Sequence, residues 1–142
     1  METGLAGRRG LLLVLAAVLL IRLPFLNQAI QGDDDRYLTE GEHALIEPLH
    51  PAHTQYVFFG DLVDLRGDSH PPLDGWVLGG LLAIFGDAKE VPFHAAYIAF
   101  SLIAVAAMWS LARRFSPRPV WACLLFLAVP AFVVNGNSLE AD

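Results

Sequence analysis

The chain has 142 residues, of which 55% are hydrophobic, and its mean hydropathy is +0.48. Soluble domains usually contain about 45–50% apolar residues, and the excess here is concentrated in separate runs, so a membrane protein is predicted. The formal net charge is −6, and most bases flank the apolar runs without forming a patch, which excludes a nucleic-acid-binding function.

The first predicted element is a membrane-spanning helix over residues 10–30. Such a helix is about 30 Å long, enough to cross the hydrocarbon core, and Arg8 and Arg9 before it favour a cytoplasmic N-terminus. A cleaved signal peptide is the alternative, but no small-residue cleavage site follows Ile21, which favours a retained anchor. Arg22 is expected to extend its side chain to the membrane interface, with a lipid phosphate or an acid as alternative partners.

Residues 31–90 are mostly polar and hold twelve of the fifteen acids, so they are predicted to form one large loop on the outer side of the membrane. The loop begins with three consecutive carboxylates at positions 33–35. A short helix is predicted over residues 36–45, ending before Pro48. A short apolar segment at 56–59 is interpreted as a strand or as a contact with the membrane surface.

A juxtamembrane helix is predicted over residues 72–86 of the same loop. Two prolines suit its first turn and a glycine suits its C-terminus. Its apolar part is about 20 Å long, too short for a core of roughly 30 Å. If it crossed the membrane, Arg113 and Arg114 would lie outside after the next span. The positive-inside rule therefore favours a helix that lies in the outer leaflet.

Two further spans are predicted over residues 91–112 and 119–134, the second bent by Pro130 near its outer end. The second span leads to Glu140 and Asp142, which are expected on the same membrane face as the acids after the first span. The predicted fold class is therefore all-α, a polytopic integral membrane protein with three spans. Because no closing element follows the last acids, the 142 residues are expected to be the N-terminal part of one longer transmembrane domain.

Four sequence motifs follow one another along the chain. They are Asp33-Asp34 with Tyr37, His70-Pro71-Pro72-Leu73, Leu111-Ala112-Arg113-Arg114-Phe115, and the pair Glu140 and Asp142. Their order, spacing and membrane side resemble the GT-C membrane glycosyltransferases. More narrowly, they resemble glycosyltransferase family 39, which includes protein O-mannosyltransferases and the lipid A aminoarabinose transferase.

The resemblance implies a GT-C fold whose N-terminal part carries juxtamembrane helices in a large outer loop. It also implies transfer of a hexose or pentose from a polyprenyl-phosphate-linked donor to a hydroxyl of a protein or lipid. The reaction would take place on the outer face of a bacterial inner or plasma membrane. Because family members have many further spans, the 142 residues are expected to be inactive alone.

The resemblance implies that Asp33 is the catalytic base, because the first acid after the first span has this role in the family. A carboxylate within reach of a hydroxyl can remove its proton as the new bond forms, and a single displacement predicts inversion at the anomeric carbon. The alternative for residues 33–35 is a hydrated collar at the membrane surface, and Asp35 is expected to be solvated. The predicted substrate-binding residues are Asp34, Tyr37, His70, Glu140 and Asp142.

No cofactor is predicted, and the expected partners are the lipid-linked donor, the acceptor and membrane lipid. A zinc or hard-cation site is the alternative for four histidines of the outer loop, but their spacing fits no closed structural site. These histidines are His43, His50, His53 and His70.

A non-enzymatic transporter or lipid-binding scaffold is the alternative function. Transporters usually place essential charges near the bilayer midplane, whereas these spans are almost free of charge.

Overall fold

The computed structural model of the protein describes residues 4–67, 70, 72–134 and 138–139. Over these ranges the chain is mostly helical, which confirms the helical part of the predicted fold class. Two compact units are present. The first comprises Met1–Gln28 and His94–Asn137, and the second comprises Ala29–Phe93 and Ser138–Asp142.

The secondary structure consists of six α-helices and one pair of strands within the described ranges. The helices are α1 (Gly4–Arg22), α2 (Asp34–Ala44), α3 (Leu73–Phe85), α4 (Glu90–Phe115), α5 (Pro119–Leu127) and α6 (Pro130–Val134). The strands are β1 (Gln55–Phe58) and β2 (Asp61–Asp64), and short 3₁₀ turns cover Leu23–Phe25 and Leu65–Gly67.

The core of the first unit is apolar and is built from α1, α4 and α5. Gly10 of α1 approaches α4 so closely that an added Cβ would lie 2.4 Å from Cη2 of Trp109. A larger residue at this position would therefore push the two helices apart. The buried members of this core are Val14, Val18, Val105, Trp109, Ala112, Cys123 and Leu127.

In the part of the chain that the structure describes, α4 alone is long and apolar enough to cross a membrane by length and composition. The other two predicted spans differ in extent from the helices observed. The helix α1 ends at Arg22, well before residue 30, because Pro24 lacks the N–H that a continuing helix needs. For the same reason Pro130 begins a new helix, α6, after α5 has ended at Leu127. Membrane crossing by these segments stays a prediction.

The second unit is organised around the contact between α2 and α3, which occupy the two helical segments expected in the outer loop. The two backbones meet at paired glycines. A Cβ added to Gly41 would lie 2.7 Å from Cβ of Leu78, and one added to Gly79 would lie 2.9 Å from the carbonyl oxygen of Gly41. Glycine is required at both positions because any side chain would separate the helices.

Gly79→Ala is therefore expected to lower the free energy of unfolding by about 1–3 kcal/mol, the usual cost of overpacking. Gly80→Ala is the matched control, because a Cβ added there would have no atom within 4 Å from the described chain beyond its own stretch of α3. Its helix should gain roughly 0.5–1 kcal/mol from the better helix propensity of alanine. Thermal unfolding in detergent, followed by circular dichroism, measures both variants. Equal midpoints would contradict the close helix contact.

The apolar segment at 56–59 contributes to a β-hairpin, in which β1 pairs antiparallel with β2. Phe59 and Gly60 form the two-residue connection with φ angles of 50° and 94°, as in a type I′ turn. The chain is therefore mostly helical but not all-α. Strands of four residues give too short an alternation to distinguish a hairpin from a surface loop.

Candidate functional site

The predicted base, Asp33, lies directly before α2 in the second unit. Its carbonyl oxygen accepts hydrogen bonds from the backbone N–H groups of Arg36 at 3.0 Å and Tyr37 at 3.4 Å, so the start of the helix fixes its backbone. Its side chain is exposed and makes no capping hydrogen bond within the described part of the chain. The carboxylate is therefore accessible to a substrate.

A cavity of about 370 Å³ opens beside Asp33. Most of its wall comes from the β-hairpin and the turn after it, and α2 adds the cationic side chain of Arg36. The volume is at the lower end of the range typical for small-molecule sites, roughly 300–1,000 Å³. The lining residues are Asp33, Arg36, Tyr56, Phe58, Val63, Asp64, Leu65 and Gly67.

The second carboxylate of this cavity, Asp64, is engaged by Arg66. The Nε atom of Arg66 lies 2.9 Å from both carboxylate oxygens, and its backbone N–H donates to Oδ1 at 3.0 Å. These bonds to Arg66 lower the pKa of Asp64 to about 2. Asp64 is therefore ionised and held at neutral pH, which leaves Asp33 better placed to meet a substrate hydroxyl.

Asp34 is buried, with only 2% of its surface exposed, and its carboxylate has partners inside the protein. Its Oδ2 atom accepts the backbone N–H of Gln31 at 3.1 Å. Its Oδ1 atom accepts the backbone N–H of Leu139 at 2.9 Å and the hydroxyl of Ser138 at 3.2 Å. This arrangement fastens residues 138–139 to the start of α2. Contact of Asp34 with substrate stays a prediction.

Glu140 and Asp142 lie outside the described residues, so their predicted roles in substrate binding stay predictions. The two residues before Glu140 are nevertheless bonded to Asp34, which precedes them by more than a hundred positions. Leu139 is fully buried at this point. The segment leading to Glu140 therefore starts beside the residue that follows the predicted base.

Tyr37 and His70, both predicted to bind substrate, contact each other. The Tyr37 hydroxyl lies 3.5 Å from Nε2 of His70, and the two rings meet edge to face with centroids 5.6 Å apart. Tyr37 is almost fully buried, whereas His70 is half-buried. The tyrosine is thus placed to orient the histidine, and the histidine is the more accessible of the two.

Two buried acids near this pair were not identified from the sequence: Glu40 on α2 and Asp74 in the first turn of α3. They are 2% and 8% exposed, respectively. Burial raises the pKa of Glu40 above its ordinary value; among nearby charges, Arg36 and His70 lower this pKa and Asp74 raises it. Glu40 and Asp74 are therefore buried acids, and the neighbours of Glu40 include Arg36 and His70 of the candidate site.

Helical spacing is the signal that could have identified these acids. Glu40 follows Tyr37 by three positions and precedes Ala44 by four, which places it on the buried side of α2. Asp74 precedes Leu78 by four positions on the buried side of α3. An acid on an apolar helix face is usually interpreted as a solvated residue at its edge, which is why both were missed.

Arg22, in the first unit, is fully buried, so the expected extension of its side chain to the membrane interface is wrong. Its Nε atom donates to the Ser101 hydroxyl at 3.2 Å, and its terminal nitrogens donate to the carbonyl oxygens of Phe132 and Val133. The guanidinium also lies 4.3 Å from the centroid of the Phe132 ring. Carbonyls in the last turn of a helix lack intrahelical partners, and Arg22 supplies donors for two of them.

The four histidines considered as a metal site do not share one location. His70 contacts Tyr37, whereas His50 and His53 form a separate exposed group with Glu47. The predicted absence of a cofactor stays a prediction.

A sequence profile of the dolichyl-phosphate-mannose-protein mannosyltransferase family matches residues 69–142, more than half of the chain. The chain belongs to this family. Membership confirms the resemblance to GT-C glycosyltransferases and supports glycosyltransferase activity with polyprenyl-phosphate-linked donors in general. The family is membrane-integral. No curated protein and no solved structure gives a significant match to the chain.

The matched segment contains His70 but begins after Asp33, Asp34 and Tyr37. Contacts within the second unit join the two parts. Tyr37 contacts His70 from the matched segment, and Asp34 binds the backbone of Leu139, also from that segment. The residues singled out before position 69 are therefore packed against the family-matched segment.

Proposed function

We propose that the protein transfers a hexose or pentose from a polyprenyl-phosphate-linked donor to a hydroxyl of a protein or lipid acceptor, with inversion, at the outer face of a bacterial inner or plasma membrane. One observation carries the proposal: the exposed Asp33 carboxylate lies at the edge of a cavity of about 370 Å³ that also contains Arg36. Family membership supplies the class of donor. Asp33 and Arg36 supply the two charges that such a transfer uses.

In the proposed step, Asp33 accepts the proton of the acceptor hydroxyl as its oxygen attacks the anomeric carbon. The bond between that carbon and the phosphate oxygen breaks, and its electron pair leaves with the polyprenyl phosphate. Because attack and departure occur on opposite sides of the carbon, the product has inverted configuration. Asp33 ends the step protonated and returns its proton to solvent.

The leaving phosphate is already ionised, so it needs stabilisation by a cation more than it needs an acid. Arg36 is on the cavity wall one helical turn from Asp33 and supplies such a cation, with its guanidinium 5.2 Å from the Tyr37 ring. Its planar donors suit phosphate oxygens. In this proposal Arg36 supplies the positive charge, and no cofactor is assigned to the step.

The other predicted site residues have supporting roles in this proposal. His70, oriented by Tyr37, would donate a hydrogen bond to the sugar or the phosphate. Glu140 and Asp142 would orient the acceptor, and Asp34 would hold the chain segment that leads to them. The 142 residues would act as the N-terminal part of a larger GT-C domain.

Sealed right-side-out vesicles that contain the full gene product test the proposal. A panel of polyprenyl-phosphate donors, each carrying a radiolabelled hexose or pentose, is added outside with the membrane acceptors. Transfer predicts that one donor loses its label to a hydroxyl-linked product. A transporter or lipid-binding scaffold would bind or move the donor without breaking its sugar–phosphate bond. Intact donor throughout the panel would favour that alternative.

A further inference from the structure

The loop after α2 contains a second group of chemically active side chains. In the sequence Glu47-Pro48-Leu49-His50-Pro51-Ala52-His53, a metal-ligand residue occurs at every third position. The backbone N–H of His50 donates to the carbonyl of Glu47 at 3.1 Å, and that of His53 donates to the carbonyl of His50 at 3.0 Å. Such bonds give about three residues per turn, so Glu47, His50 and His53 fall on one side of the loop.

The three side chains already lie close together. The Oε1 atom of Glu47 is 2.8 Å from Nδ1 of His50, and the rings of His50 and His53 are stacked with centroids 4.4 Å apart. One ligand atom from each residue lies within 4.8 Å of the other two. Around a tetrahedral zinc ion with bonds of about 2.0–2.1 Å, ligand atoms are roughly 3.3 Å apart. Side-chain rotation can close this difference while the backbone stays in place.

The first turn of α3 anchors the backbone of this loop. The indole N–H of Trp76 donates to the carbonyl of Pro48 at 2.7 Å. Pro51 is buried, and a Cβ added to Gly75 would lie 2.9 Å from the Cβ of Pro51. The two prolines also restrict the backbone before any ligand binds. The loop would therefore lose little conformational entropy when it binds an ion.

The carboxylate of Glu47 is exposed and has a second histidine neighbour besides His50. Its second oxygen, Oε2, lies 3.5 Å from Nε2 of His43, on the last turn of α2. His43 therefore lies beside the proposed coordination shell without being one of its ligands.

We propose that Glu47, His50 and His53 bind one Zn²⁺ ion through a carboxylate oxygen and two imidazole nitrogens, with the fourth position open to water. Two nitrogen ligands favour zinc over magnesium or calcium, which prefer oxygen. The site and Asp33 lie at opposite ends of α2, whose eleven residues span about 16 Å. The ion would therefore cross-link the turns of the loop after α2 and take no part in sugar transfer.

Titration of the full chain in detergent with ZnCl₂, followed by isothermal calorimetry, tests this site. One ion per chain is expected. His50→Ala and His53→Ala should each weaken zinc binding by roughly 10–100-fold or more, because the loss of even an outer-shell partner has an effect of this size. Titration with Co²⁺ should show the visible absorption of a four-coordinate ion, and either variant should lose it.

Glu47→Gln and Glu42→Gln form a matched pair, since both are exposed acids at the end of α2 or just after it. Glu47→Gln should weaken zinc binding as the histidine variants do, and Glu42→Gln should leave it unchanged. The three proposed ligands are exposed, so helix content by circular dichroism should stay constant in all variants. Absence of zinc binding, or equal affinity in His50→Ala and the unsubstituted chain, would overturn the proposal.

Discussion

Asp33→Asn is expected to slow sugar transfer by roughly 10²–10⁴-fold, the usual contribution of a general base. The amide keeps the size of the carboxylate and much of its hydrogen bonding, but it cannot accept the acceptor's proton. Affinity for the donor should change little, because a base contributes mainly in the transition state. The measurement is release of labelled sugar from the lipid-linked donor in membranes that carry the full gene product.

Asp35→Asn is the matched control for this prediction, since Asp35 is also an exposed acid at the start of α2. Its transfer rate should stay close to that of the unsubstituted enzyme. Normal turnover in Asp33→Asn, together with an inactive Asp34→Asn or Glu140→Gln, would move the base to the inactive position. Normal turnover in all of them would leave the acids at 33–35 as a hydrated collar.

The helices of the second unit were predictable because their signals are local. Proline and glycine mark the ends of α3, and the buried spacing of Tyr37, Gly41 and Ala44 marks α2. The prolines that end α1 and divide the segment at 119–134 are local signals of the same kind. Pattern reasoning gave them too little weight because hydropathy over a long window averages them away.

The contacts that define the candidate site were not predictable in this way, because they join distant positions. No periodicity relates Asp34 to Leu139, yet the backbone N–H of Leu139 is a main partner of its carboxylate. Burial of Glu40 likewise depends on the close approach of Gly41 and Gly79, which brings α3 over an acid of α2. Local sequence patterns specify where helices form, whereas the burial of an acidic side chain depends on which helix faces pack against each other.

The contacts of Asp34 make Asp34→Asn the second substitution with a large expected effect. The backbone N–H groups of Gln31 and Leu139 donate to different oxygens of this carboxylate. An amide offers only one acceptor atom, so one of these two N–H groups loses its partner. The loss should cost about 1–3 kcal/mol of the free energy of unfolding. Displacement of residues 138–139 should also slow transfer by about 10²-fold, as small misplacements near a reacting centre do.

Ser138→Ala provides the graded comparison, because it removes one hydroxyl donor to Asp34 and leaves both backbone N–H bonds in place. Its midpoint of thermal unfolding and its transfer rate should fall less than those of Asp34→Asn. If Asp34 acts by positioning, stability and transfer rate will decline together across the two variants. If it binds substrate directly, Asp34→Asn will raise KM while its unfolding midpoint stays unchanged. The second result would replace the positioning role with the contact predicted from the sequence.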